Sequence, residues 1–172
     1  MLDDLQEQIS DFVADEQRDL KFKAGDKVLS VLEDASLFIS YDYLLSDDSK
    51  YSFLNDEFHN KLSEEFPNLS DYQIYFNKLK SICSLSYSAA EQDSLNFKTV
   101  SLNKNLKEIL YKIYDKDNLR PEEIPSIIEL RLYTNKNSDR APRIFGFLGH
   151  ANVIYIFAYD PFHDIFNAMS KN

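Results

Sequence analysis

Leu2, Leu5, Ile9, Phe12 and Val13 fall on one face of a helix, with acidic residues filling the rest of the turn. Gly25-Asp26 then offers a break and an N-cap. From Lys27 the set Val28, Leu32, Ala35, Phe38 and Ile39 predicts a second helix of the same amphipathic kind. Leu54, Phe58, Leu62 and Phe66 recur every four residues until Pro67 ends a third. Ser70 caps a fourth, which carries Tyr72, Tyr75, Phe76, Leu79 and Ile82.

Near Gln92 the period changes. LNFKTVSL (95–102) partly alternates, which predicts a strand, and NKNLKEILYKIYDK then places Leu106, Ile109, Leu110 and Ile113 on one side of a helix. Pro121 and Pro125 allow at most a turn of helix before IIELRLYT, where Ile128, Leu130 and Leu132 alternate with Glu129, Arg131 and Tyr133. After the polar NKNSDRAP, the runs RIFGFL and VIYIFAY flank Gly149-His150-Ala151-Asn152 and predict a hairpin. VIYIFAY is apolar on both faces, as in a strand with neighbours on both sides. The expected fold is α+β, with about four N-terminal helices and a small C-terminal antiparallel sheet. The expected division is an acidic helical region over 1–92 and an α+β domain over 93–172.

Composition narrows the class. The 172 residues are 44% apolar and include 13 Phe and 11 Tyr, enough for a packed core. No run approaches the roughly 20 apolar residues of a membrane span, and the start MLDDLQEQISDF is too acidic for a targeting signal. A single Cys83, set among apolar helical neighbours, excludes an internal disulfide and a multi-cysteine metal centre. A soluble cytoplasmic protein, with no membrane partner, is expected. The net charge of −10 is uneven: residues 1–97 hold 8 Lys/Arg against 20 Asp/Glu, whereas residues 98–172 hold 11 against 9. Such asymmetry either marks different partners for the two halves or simply keeps acidic helices solvated.

The order strand, helix, broken helix and three strands, with Glu129-Leu130-Arg131, Arg143-Ile144-Phe145-Gly146-Phe147 and the apolar Val153–Tyr159, resembles the RelE/ParE-like toxin superfamily over residues 95–172. The resemblance implies helices packed on an antiparallel sheet. It also implies metal-free cleavage of messenger RNA on the ribosome, in a toxin or phage–host conflict setting, or a degenerate relative without activity. Carried over by position, it implies Arg131 and Arg143 on the phosphate, Arg140 as a further phosphate ligand, and His163 moving the proton, with Tyr159 beside them. Asp160 and Asp164 stand where those toxins carry a basic tail.

Read as chemistry, Asp160-x-x-His163-Asp164 can set a carboxylate against an imidazole for acid–base work, or place a turn, a sheet edge and a solvated acid. Two carboxylates beside His163 also allow a metal, though no further ligand is spaced for one. Arg131, Arg140 and Arg143 can form an anion patch if strand register brings them to one face; otherwise Arg131 pairs with Glu129 or a helix carboxylate. His59 and His150 read as surface residues. No glycine-rich phosphate loop, H-E-x-x-H, C-x-x-C pair or G-x-S-x-G occurs. No cofactor and no metal is therefore expected. The acidic residues, represented by Asp11, Asp15, Asp47, Asp48, Glu64 and Glu65, support a competing class. In it, a non-enzymatic protein presents carboxylates to a basic site on a partner and imitates a nucleic-acid backbone.

Overall fold

Five strands in the order β1-β5-β4-β3-β2 form the centre of the computed structural model. The structure describes residues 36–59, 69–93, 96–116, 118–134, 140–149 and 152–167. The first predicted helix lies outside these residues, as do Val28, Leu32, Ala35, Leu62, Phe66 and His150. In chain order the elements are β1 (Phe38–Ser40), α1 (Asp56–His59), α2 (Asp71–Ile82), α3 (Tyr87–Gln92), β2 (Phe97–Val100) and α4 (Lys104–Tyr114). A 3₁₀ turn (Pro121–Glu123), β3 (Ile127–Arg131), β4 (Arg143–Leu148), β5 (Val153–Asp160) and α5 (Asp164–Asn167) follow.

This corrects the expected fold class. The sheet is mixed, because β1 runs parallel to β5 while every other pair is antiparallel. Its first strand comes from the stretch read as N-terminal helix: Phe38 and Ile39 pair with Val153 and Ile154. The helices among the described residues are short, and they cover both faces of the sheet. The physical reason is local ambiguity. A β-branched and aromatic pair such as Phe38-Ile39 suits either a helix face or a strand, and the open side of β5 decides for the strand. The next segment continues along that side, with Leu45 N–H donating to the Phe157 carbonyl (2.9 Å) and Tyr159 N–H to the Tyr51 carbonyl (2.9 Å).

Local signals explain the longer helices. Ser70 and Gln73 form a capping box on α2, with the Ser70 N–H bonded to Gln73 Oε1 at 2.9 Å. Asn103 caps α4 by accepting the Leu106 N–H at 2.9 Å, and Asp115 ends α4 in the left-handed region. One core packs Phe58, Ile74, Tyr75, Leu79 and Ala90 against Ile128, Leu130, Ile144, Ile156 and Tyr159. The other packs Leu106, Ile109 and Leu110 against Ile127, Phe145, Phe147 and Phe157. The first core thus joins side chains from before and after residue 92.

The strands β4 and β5 slip register between Phe145 and Gly146, so Phe157 is an extra residue and enters the second core together with Ala158. Gly146 sits at this slip, and a Cβ there would lie 2.9 Å from the Tyr155 carbonyl oxygen and 3.0 Å from Ile154 Cγ2. Backbone cannot yield as a side chain can. Gly146→Ala is therefore expected to cost about 1–3 kcal/mol of stability, read as a lower midpoint in urea denaturation; an unchanged midpoint would show that β5 moves freely at the bulge.

Candidate functional site

Two charged clusters grow out of this sheet. The first forms on the face that carries Ile127 and Phe145. Register places Lys98 of β2 opposite Glu129 of β3, Arg131 opposite Arg143 of β4, and Arg143 opposite Asp160 of β5. Glu129 is only 2% exposed. Its Oε1 lies 3.1 Å from Lys98 Nζ and 3.1 Å from Arg143 Nε. His163, in the turn after β5, brings its Nε2 to 3.7 Å from Glu129 Oε2. That oxygen is buried and accepts no hydrogen bond from the protein. Burial pushes the Glu129 carboxyl up, but His163, Lys98 and Arg143 together outweigh it and hold the group below its ordinary range.

Arg143 is buried, and both of its Nη atoms are hydrogen-bonded. Nη1 donates to the Tyr133 and Pro142 carbonyls (2.8 and 3.0 Å), and Nη2 donates to Thr134 Oγ1 (3.0 Å). Burial lowers its pKa, with the neighbouring Arg131 acting in the same direction and Glu129 opposing. Arg131 is half-buried, and no described side chain pairs with its guanidinium. Like charges placed directly across a strand pair are unfavourable, so the Arg131–Arg143 pair calls for anionic compensation, and Glu129 supplies one charge of it.

Asp160 has no exposed surface and does not face the imidazole. Its Oδ1 accepts the Phe162 and Asp164 N–H groups (3.3 and 3.1 Å), and its Oδ2 accepts that of Ile165 (2.8 Å). Burial pushes its carboxyl up against these bonds. Asp164 turns away to Lys50 at 2.7 Å. The carboxylate that meets His163 is therefore Glu129 of β3, two strands before β5 in the chain.

The second cluster takes Arg140 out of the predicted arginine patch. Its Nη2 is 2.5 Å from Asp71 Oδ2, its Nη1 contacts Glu57, and its Nε donates to Tyr133 Oη at 3.1 Å. Asp71 is fully buried and also accepts from Tyr133 Oη (2.8 Å) and Tyr159 Oη (2.6 Å). Burial, with help from the Asp71 carboxylate, pushes both phenols up. The three candidate arginines thus divide: Arg131 and Arg143 share a face with His163, whereas Arg140 closes an internal network. Tyr159 belongs with Arg140 in that network.

Of the acidic candidates, Asp47 pairs with Lys112 and Ser49, which hold its pKa at about 2. Asp48 is exposed, and Asp11, Asp15, Glu64 and Glu65 lie outside the described residues. His59 bonds the Phe53 carbonyl through Nε2 at 2.6 Å, and burial raises the Cys83 thiol. Among the described residues no cluster of ligands could hold a metal ion, and no helix is long and apolar enough to cross a membrane.

Lys98 and Glu129 were not singled out by sequence as site residues. Their signal was present in part: LNFKTVSL carries a single charge, Lys98, near its middle, and IIELRLYT carries two, Glu129 and Arg131, at alternate positions. Alternation puts Glu129 on the face opposite Ile128 and Leu130, and helix α4 covers that face as well.

The fold and site define a mixed-sheet protein with helices on both faces and a cationic cluster built round a buried glutamate. Compared with protein-family models, curated proteins and solved structures, the chain gives no match.

The cluster has a definite pH signature. Glu129 has a folded-state pKa below its ordinary value of 4.5. Its ionised form therefore adds stability that is present above pH 4.5 and is lost as pH falls through the lower, folded value. Asp160, raised by burial, acts in the opposite sense, adding stability below its unfolded value that is lost as pH rises through the folded one. The wild type is expected to lose urea resistance below pH 4.5, and Glu129→Gln to show a flatter acid limb. Equal slopes in the two proteins would count against the assignment to Glu129.

Proposed function

We propose that this protein cleaves RNA without a metal ion, at the cluster of Lys98, Glu129, Arg131, Arg143 and His163. The observation that carries the reading is the buried Oε2 of Glu129, which has no hydrogen-bonded partner in the protein and faces an imidazole across 3.7 Å, with cations on both flanks. A carboxylate and an imidazole at that spacing form a base and an acid for one substrate oxygen each, and such contacts tighten when substrate arrives.

In the reaction, Glu129 takes the proton of a ribose 2′-hydroxyl, whose oxygen attacks the adjacent phosphorus. The 5′-oxygen departs with a proton from the His163 imidazolium, leaving a 2′,3′-cyclic phosphate and a 5′-hydroxyl. Lys98 and Arg131, the more accessible cations, meet the phosphate oxygens and the charge that builds on them. Arg143 is already committed to backbone carbonyls, so its role is to hold Glu129 ionised. The resemblance to RelE/ParE-like toxins likewise implies metal-free RNA cleavage with Arg131 on the phosphate and His163 moving the proton. A toxin or phage–host conflict setting with RNA or the ribosome as target belongs to this proposal.

The test is cleavage of a defined single-stranded RNA by the purified protein in excess EDTA, with Glu129→Gln and His163→Ala alongside. Products ending in cyclic phosphate are expected from the wild type alone. Cleavage that survives in both variants, or that disappears with EDTA, would remove the site from consideration.

A further inference from the structure

His163 is one of three non-glycine residues with positive φ among the described residues, at 58°. Non-glycine residues avoid this region, and an outlier persists only where its surroundings over-determine it. Here they do. Asp160 takes the N–H groups of Phe162, Asp164 and Ile165 on its two carboxylate oxygens. On the far side, Ala141 N–H donates to the Pro161 carbonyl at 3.2 Å, and Arg140 lies 5.7 Å above the Phe162 ring. Asn103 and Asn105 both donate from Nδ2 to the Ile165 carbonyl, at 2.8 and 2.9 Å. His163 is the residue the turn leaves out of this bonding, and its ring rests 5.9 Å from Phe166.

We propose that Asp160 is a positioning residue for His163: by gathering the N–H groups on either side of it, the carboxylate fixes the left-handed turn that brings the imidazole to Glu129. A charged acceptor suits the task, because three convergent N–H groups reward a carboxylate more than a neutral oxygen. The described side-chain hydrogen bonds of this buried aspartate all go to the turn. The inference rests on the reading of Glu129 and His163 as an acid–base pair.

The experiment compares wild type, Asp160→Ala and Asp160→Asn by two readouts. One is the carbon–proton correlation spectrum of the His163 ring with its nuclear Overhauser contact to Phe166. The other is kcat and KM for RNA cleavage. In Asp160→Ala the ring resonances are expected to shift and the Phe166 contact to vanish, while kcat falls about 10- to 100-fold with KM little changed. Asn retains Oδ1 and with it the bonds to Phe162 and Asp164 but loses the acceptor for Ile165 N–H. Asp160→Asn is therefore expected to displace the ring less than Asp160→Ala and to restore part of kcat. Unshifted ring resonances in Asp160→Ala, or equal displacement in both variants, would overturn the proposal. If Asp160→Ala does not fold, Asp160→Ser replaces it, with the same shift expected and the same overturning results. A wild type that cleaves no RNA would defeat the acid–base reading alone, and the spectra would still decide whether Asp160 holds the imidazole.

Discussion

Replacing Asp71 with alanine is expected to destabilise the protein by about 3–5 kcal/mol, the cost of stripping one partner from a buried ion pair. Asp71 has no exposed surface and accepts three bonds, from Arg140 Nη2, Tyr133 Oη and Tyr159 Oη. Without it two buried phenols each lose an acceptor, and Arg140 keeps its pairing with Glu57. The network also spans the fold: α2 supplies Asp71, the chain after β3 supplies Tyr133, and β5 supplies Tyr159. Its loss therefore loosens the helix layer from the sheet as well as removing bonds. A domain of this size has about 5–15 kcal/mol in total, so Asp71→Ala would leave little reserve. Urea denaturation is the measurement. A loss under about 1 kcal/mol, the scale of one ordinary hydrogen bond, would show that Arg140 is compensated without Asp71. Tyr159→Phe, which removes one donor and leaves the charge pair, is expected to cost about 1 kcal/mol.

Glu129→Gln is expected to abolish metal-free RNA cleavage, with a loss of about 10²- to 10⁴-fold, the range for removing a general base. Glutamine fills the same volume and can still meet Lys98 and Arg143 through its carbonyl oxygen, but it cannot take the 2′-hydroxyl proton. His163→Ala should lose a similar factor by removing the proton donor. If the two act as one unit, the double variant will be hardly worse than either single one. Arg131→Ala has a different expected form. It removes a phosphate contact, so binding weakens uniformly across sequences and the salt slope falls by about 1. Independent, multiplying losses in the double variant would separate Glu129 from His163 and end the paired assignment.

How much of this was legible beforehand follows from the range of each interaction. The α2 cap, the α4 helix, the β4–β5 hairpin and the position of β2 depend on neighbours a few residues apart, and the spacing of apolar and capping residues carries them. So does the turn at Asp160-Pro161. Phe38 and Ile39 went the other way: their pattern fits a helix, and only pairing with β5, over a hundred residues later, makes them a strand. The burial of Glu129 was not legible for a related reason. Period-two alternation tells which residues share a face, but not whether a helix will cover it.

The site divides along the same line. Sequence alone determined that the chain is acidic with a balanced C-terminal half, that its apolar residues suffice for a core, and that Arg131, Arg143 and His163 lie on or beside consecutive strands. Tertiary structure decided that Arg140 belongs to Asp71, that His163 meets Glu129 and not Asp160, and that Lys98 joins them. Those contacts are set by strand register and by layers closing on both sides of the sheet. Neither has a local signature, because each joins residues whose separation along the chain says nothing about their distance in space.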